Sequence, residues 1–195
     1  MSNQVETVIQ VQLTNRDKKT VFWRGFLAVP VVAFLASFSQ GTDAAWASGL
    51  IVLPLVLTLL FRGVYPSYLL SFNHSVMELN ARLSSYVLLL TDDYPSIERN
   101  PNVAVLLPDI EGGKKLSRGL PLIKWFLAIP HYIVGSIYIA LSVFVSVIAW
   151  VQTSATGKYP AWAGEIVLGS FAYWNRVQGY MLLLVTDEYP TFRLK

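Results

Sequence analysis

Along residues 21–61 the chain is apolar almost without interruption, and the one polar break is SQGTD at 39–43. A single helix over that stretch would be about 60 Å long, twice the roughly 30 Å of a bilayer's hydrocarbon core. The pattern therefore predicts a chain that turns back, with Gln40-Gly41-Thr42-Asp43 supplying the turn chemistry. It predicts a membrane hairpin at 22–61, built from helices at 22–38 and 46–61. The second arm, about 24 Å long and containing Pro54, is short for a full crossing. Arg62-Gly63-Val64-Tyr65-Pro66 ends the hairpin, and Pro66 suits the first turn of a new helix.

From 66 to 90 the apolar positions Leu69, Phe72, Val76, Leu79, Leu83, Tyr86 and Leu90 recur at steps of three and four, which predicts an amphipathic helix. Its other face carries His74, Glu78 and Arg82 on one stripe. In a crossing helix this Arg and Glu would sit near the bilayer centre at about 2.5–3.5 kcal/mol each, so a helix lying in the interface is favoured over a third span. Ahead of the hairpin, TVIQVQLT at 7–14 alternates apolar and polar residues, and NVAVLL at 102–107 is its counterpart further on. The two read either as a small two-stranded ribbon at the membrane surface or as a pair of extended tails.

The chain then repeats itself. Phe126-Leu127-Ala128-Ile129-Pro130 restates Phe26-Leu27-Ala28-Val29-Pro30, Gly157-Lys158-Tyr159-Pro160 restates Gly63-Val64-Tyr65-Pro66, and YMLLLVTDEYP at 180–190 restates YVLLLTDDYP at 86–95. Arg176 falls on Arg82 and Tyr180 on Tyr86. Matched punctuation at a nearly constant offset marks a tandem duplication. The repeats are 1–100 and 101–195, and a charged linker fills 91–119. In the second repeat a hairpin at 120–153 turning near Gly135-Ser136 is favoured by symmetry, against a helix to Pro130 followed by one span. An amphipathic helix at 160–185 completes it. The expected fold class is an all-α integral membrane protein, a tandem repeat of helical hairpin plus amphipathic interfacial helix.

Composition agrees with that class. The 195 residues are 54% apolar and 14% charged, with 13% aromatic residues and a mean hydropathy of +0.48, outside the soluble range. Trp and Tyr in such numbers suit headgroup-level positions. Without cysteine there is no disulfide, thiolate metal site or Cys nucleophile. The amino-terminal stretch, polar and containing Glu6, lacks the form of a cleaved signal peptide. A net charge of +3 is too small and scattered to argue for nucleic acid. In the hairpin arrangement every Lys and Arg falls on one side and the far turns carry only Asp43, so the termini are expected in the cytoplasm.

FLAIPHY, a long apolar run, GKYP, an amphipathic helix with a central Arg, and YMLLLVTDEYP resemble the bacterial membrane domain catalogued as domain of unknown function 4389. Both halves carry the resemblance, the second more closely. Val31 stands where the second half has His131, and Val64 where it has Lys158, so the copies do not share those two side chains. The resemblance implies a multi-pass protein of the bacterial inner membrane and supplies no activity.

Few residues offer chemistry. Asp92-Asp93 and Asp187-Glu188 are paired carboxylates of the kind that bind a divalent cation or exchange protons. The surrounding Thr-Asp-acid-Tyr-Pro punctuation favours a helix-ending turn with its acids in water. His74 with Glu78 has the spacing of a metal or proton-relay pair, but Leu168 and Ala172 replace them in the second copy, which favours a solvated face. His131 is either a hydrogen-bonded residue at the membrane surface or a ligand. Arg82 and Arg176 are the most informative pair, each mid-helix among apolar neighbours, where a guanidinium snorkels to the headgroups, joins an ion pair or holds a lipid phosphate. No catalytic residue, metal site or cofactor is expected. The apolar segments nearly lack the polar residues that a transporter or lipid-modifying enzyme places inside its spans. The expectation is a non-catalytic accessory or assembly subunit in contact with membrane lipids and with other membrane-protein subunits or its own copies. Membrane shaping is the alternative.

Overall fold

The computed structural model describes residues 3–37, 50–98 and 100–194. Its elements are β1 (Glu6–Ile9), α1 (Lys18–Leu27), α2 (Val29–Ser37), α3 (Leu53–Arg62), α4 (Ser67–Val87), β2 (Val103–Leu106), a 3-10 turn (Glu111–Gly113), α5 (Leu120–Leu127), α6 (Ile129–Thr156) and α7 (Ala161–Met181). The fold is mostly helical. The ribbon is present, with β1 and β2 antiparallel and Glu6 opposite Leu106, Ile9 opposite Val103.

Local signals place the helix ends. α1 starts at Asp17, whose carboxylate accepts the Lys19 N–H, and its apolar run bends at Ala28 before Pro30. α5 and α6 meet in the same way at Ala128, before Pro130. Gly63 and Gly157 close α3 and α6 in the left-handed conformation, at φ 61° and 74°. Pro66 and Pro160, both extended, then launch α4 and α7, each 21 residues long.

Two expectations are corrected. The second repeat has no hairpin at 120–153: α6 runs unbroken through Gly135-Ser136 for 28 residues, about 42 Å. Gly135 is there for a close approach rather than a turn, because a Cβ on it would lie 2.7 Å from the Trp174 ring. In the first repeat the expected turn at 39–43, with Asp43, lies outside the described residues; α2 ends at Ser37 and α3 begins at Leu53. The second correction concerns the long helices. α4 and α7 do not present one wet and one apolar face. Leu69, Asn73, Met77, Leu79, Ala81 and Arg82 are buried all round α4, and Ala163, Gly164, Gly169, Tyr173, Asn175 and Val177 all round α7. The two helices form the middle of the molecule.

The middle layer is covered on opposite sides. On one side the amino-terminal tail runs antiparallel along the whole of α7. Gln4 donates to the Tyr189 carbonyl at 3.1 Å, Asn175 donates to the Thr7 hydroxyl at 2.8 Å, and the Tyr159 N–H reaches the Leu13 carbonyl at 2.9 Å. β2 does the same for α4, where His74 Nε2 meets the Val105 carbonyl at 2.7 Å. On the other side α6 runs antiparallel to α7, touching it from His131 and Tyr173 to Ser142 and Val167. α2 covers α4 through Phe34 and Leu35 against Phe72, Val76 and Leu79.

The two halves of the chain exchange parts. β1 and the tail open the first half but lie on α7 in the second, and β2 opens the second half but lies on α4 in the first. α1 packs on α6, with the Trp150 indole donating to the Val21 carbonyl at 3.0 Å, and α5 packs on α3. Tyr65 closes the exchange from the first copy, donating its hydroxyl to the Leu183 carbonyl at 2.7 Å.

Candidate functional site

The buried polar chemistry collects at the two turns that follow α4 and α7. Each turn contains a leucine with positive φ, Leu89 at 68° and Leu184 at 54°, and each is almost wholly buried. A β-carbon makes that conformation costly, so packing must hold it. The turn brings an aspartate back against a cation on the first helix of its own copy.

In the first copy Asp92 sits between two guanidiniums, with Oδ1 2.8 Å from Arg24 and 3.2 Å from Arg16. Its Oδ2 accepts the Asp17 N–H at 3.1 Å. Arg16 also donates to the Leu89 carbonyl at 2.6 Å and to the Gln12 carbonyl at 3.2 Å, and Arg24 donates to the Tyr86 carbonyl. Tyrosine faces complete the cage: Arg24 lies 5.0 Å from the Tyr86 ring centroid and Arg16 5.4 Å from that of Tyr159. Burial pulls the Arg16 pKa down to about 10, with Asp92 pulling the other way, so the group remains charged at neutral pH.

The turn after α7 builds a like site with one cation. Lys124 Nζ lies 2.8 Å from Asp187 Oδ1, donates to the Thr186 carbonyl at 2.7 Å and sits 5.0 Å from the Tyr180 ring centroid. The Ser117 N–H takes the place of that of Asp17, 2.6 Å from Asp187 Oδ2. Leu116 stands where the first copy has Arg16. Burial pushes the Asp187 carboxyl up, but the hydrogen bonds from Lys124 and Ser117 outweigh it and hold the group below its ordinary value.

Asp92, Asp93 and Asp187 are therefore engaged, not immersed in water as expected, whereas Glu188 is exposed. Asp93 and Glu188, the second acid of each pair, point elsewhere. Asp93 accepts from the amides of Asn102 at 2.8 Å and Asn100 at 3.2 Å, which keep its pKa low, and Glu188 accepts from Gln4 at 3.3 Å. The carboxylate pairs do not converge on a shared point.

The remaining candidates lie apart. His74, Glu78 and Arg82 form a row on α4, with His74 Nε2 3.6 Å from Glu78 and Arg82 4.0 Å from the other carboxylate oxygen. Arg82 is only 4% exposed and donates to the Ile97 carbonyl at 3.4 Å, beside a cleft of 330 Å³, so it does not snorkel freely. Arg176 lines a different groove, of 640 Å³ between the tail and α7, and donates to the Arg193 carbonyl. His131 is fully buried, 2.6 Å from the Tyr173 hydroxyl and stacked on Phe192 at 4.3 Å. Among the described residues no three His, Cys, Asp or Glu side chains gather as a metal-binding group.

Sequence reasoning missed Arg16, Arg24 and Lys124. The signal for two of them was present: Arg24 and Lys124 occupy equivalent places, two residues before Phe26 and Phe126. Two equivalent basic positions inside apolar repeats imply two equivalent acids.

Two helical stretches, Lys18–Ser37 and Ile129–Thr156, are long and apolar enough to cross a membrane. No family model and no solved structure matches the chain. Among curated proteins it is similar to a phospho-N-acetylmuramoyl-pentapeptide-transferase of Corynebacterium aurimucosum, 32% identical over 154 residues. That alignment takes in 76% of this chain and 41% of the relative, so the chain spans about two fifths of the relative's length.

Proposed function

We propose that this chain is a non-catalytic membrane protein, an accessory or assembly subunit of a larger complex in a bacterial inner membrane, built from two copies of the domain of unknown function 4389. The observation that carries the reading is the use made of its buried charge. Arg16, Arg24 and Lys124 each meet a carboxylate and main-chain carbonyls at a helix-ending turn, so the polar interior closes the fold. The outward faces of α1, α2, α5 and α6 are apolar, among them Phe22, Phe26, Val32, Phe126, Ile133 and Phe144. A water-soluble monomer rarely exposes such a surface, and lipid or other subunits suit it. The basic residues favour the cytoplasmic side.

Extraction from native membranes at native expression, followed by intact-complex mass spectrometry, tests this reading. A heteromeric assembly of fixed stoichiometry is expected. A lone homo-oligomer carrying phospholipid overturns the accessory role in favour of membrane shaping. The likeness to the transferase favours a second reading, in which the chain acts on a phospho-N-acetylmuramoyl-pentapeptide. Turnover of that substrate by the purified chain, lost in Asp92→Asn and Asp187→Asn variants that remain folded, would establish it.

A further inference from the structure

α6 is long enough to cross a bilayer, but the layers packed with it set a condition on its direction. α7 lies antiparallel to α6, and the tail lies antiparallel to α7 on the side away from α6. Any axis that carries α6 through hydrocarbon carries the tail and the ribbon through it as well. The described sheet has two strands: the Val105 carbonyl on the outer edge of β2 meets His74, the outer edge of β1 has no strand partner, and Glu6 and Gln10 are exposed on the ribbon's outer face. Hydrocarbon does not accept open sheet edges on a lipid-facing surface, because nothing there hydrogen-bonds the backbone. The apolar surface of α6 is arranged to match, on one side of the helix. The exposed side chains Ile133, Ile137, Phe144, Val147 and Val151 occupy one side of α6, and His131, Ser142, Ser146 and Thr153 the buried side.

Charge agrees with face rather than axis. Lys18 and Lys158 flank Gly157 at the carboxyl end of α6, and Lys18 donates to the Ala155 carbonyl. Arg118 lies against Gly63 at the opposite end, near the Ser117–Asp187–Lys124 cluster from which α5 leads into α6. A crossing α6 would divide these cations between the two sides of the membrane and erase any charge bias. An α6 parallel to the surface puts all of them at the rim of one apolar face, level with one layer of headgroups.

We infer that the protein is seated in a single leaflet, with α1–α2 and α5–α6 lying in the membrane plane, the ribbon in water, and the basic ends of the layer on anionic headgroups. The inference rests on the membrane reading above and specifies how the lipid is met. Because the chain lacks cysteine, single cysteines report their own position. Lys158→Cys just past the carboxyl end of α6, Lys114→Cys in the turn that leads to α5 before α6, both exposed, and Ile137→Cys on the apolar face are each introduced into the full chain. Each is labelled with a membrane-impermeant maleimide in inverted inner-membrane vesicles and in spheroplasts, and each variant's unfolding temperature is compared with the parent's. Both end positions are expected to react in inverted vesicles and to lose labelling in spheroplasts, with position 137 protected in both. Reaction of the two end positions from opposite sides would mean that α6 crosses; the single-leaflet seat would fall and the membrane reading would stand. Recovery of the chain in the soluble fraction, as a monomer or as a dimer covering position 137, would overturn both.

Discussion

At the residue scale the two clusters differ in what their cations can give up. Arginine keeps its proton in any protein environment, whereas a buried lysine sheds one readily. Asp92→Asn leaves Arg16 and Arg24 buried and charged without their carboxylate, at an expected cost of about 3–5 kcal/mol, read as a lower unfolding temperature in detergent. Asp187→Asn leaves only Lys124, whose pKa burial already lowers, so this variant loses less and recovers part of the difference as pH rises. Acid acts on the carboxylates. The Asp93 and Asp187 pKa values are depressed by folding, so their contribution is complete above the ordinary carboxylate value of about 4 and is lost as pH falls through the depressed values. These two groups are expected to give a fall in unfolding temperature below pH about 4, and Asn102→Ala is expected to lower the plateau above that pH and to shrink the fall, because it removes a bond that holds the Asp93 pKa down. The paired acids were legible in the sequence and so were the two equivalent cations. Their meeting was not, because it depends on a leucine at positive φ, a conformation that a side chain of this kind does not announce.

At the element scale, the unbroken α6 and the tail on α7 each support a substitution test. Ser136→Pro would be harmless in a turn, but inside α6 it removes a helical hydrogen bond and clashes with the preceding turn, at about 3 kcal/mol or more. Thermal unfolding of that variant separates the two arrangements. On α7, a Cβ at Gly179 would lie 2.2 Å from Val5 Cγ2, so Gly179→Ala is expected to cost about 1–3 kcal/mol and to loosen the tail. Val5→Ala in the same chain makes room and recovers part of the loss, and a double-mutant cycle measures the coupling. α4 and α7 were readable from period, from Pro66 and Pro160, and the ends of α3 and α6 from the closing glycines, while the ribbon was one of two readings of the alternating stretches. The helix surroundings were not. Steps of three and four in α4 report one apolar face, while the burial of its other faces is carried by small or polar side chains such as Asn73, Ala81 and Ser85, which a hydrophobic period passes over.

At the scale of the whole molecule the two halves of the chain are not separate bodies, since the leading strand of each lies on the long helix of the other. Residues 1–100 expressed alone are therefore expected to be degraded. Residues 1–100 and 101–195 expressed together are expected to co-purify, a result that affinity capture through one half checks directly. The exchange also sets an order of events in synthesis. The tail leaves the ribosome well before the surface it binds, which runs from Tyr159 to Tyr189. Contacts this distant in sequence form late, so nascent chains of every length short of α7 hold an unseated first strand. A stop codon just before α7 is then as damaging as one in the first repeat, and a chaperone or membrane surface that shelters the waiting tail during translation raises the yield of finished protein.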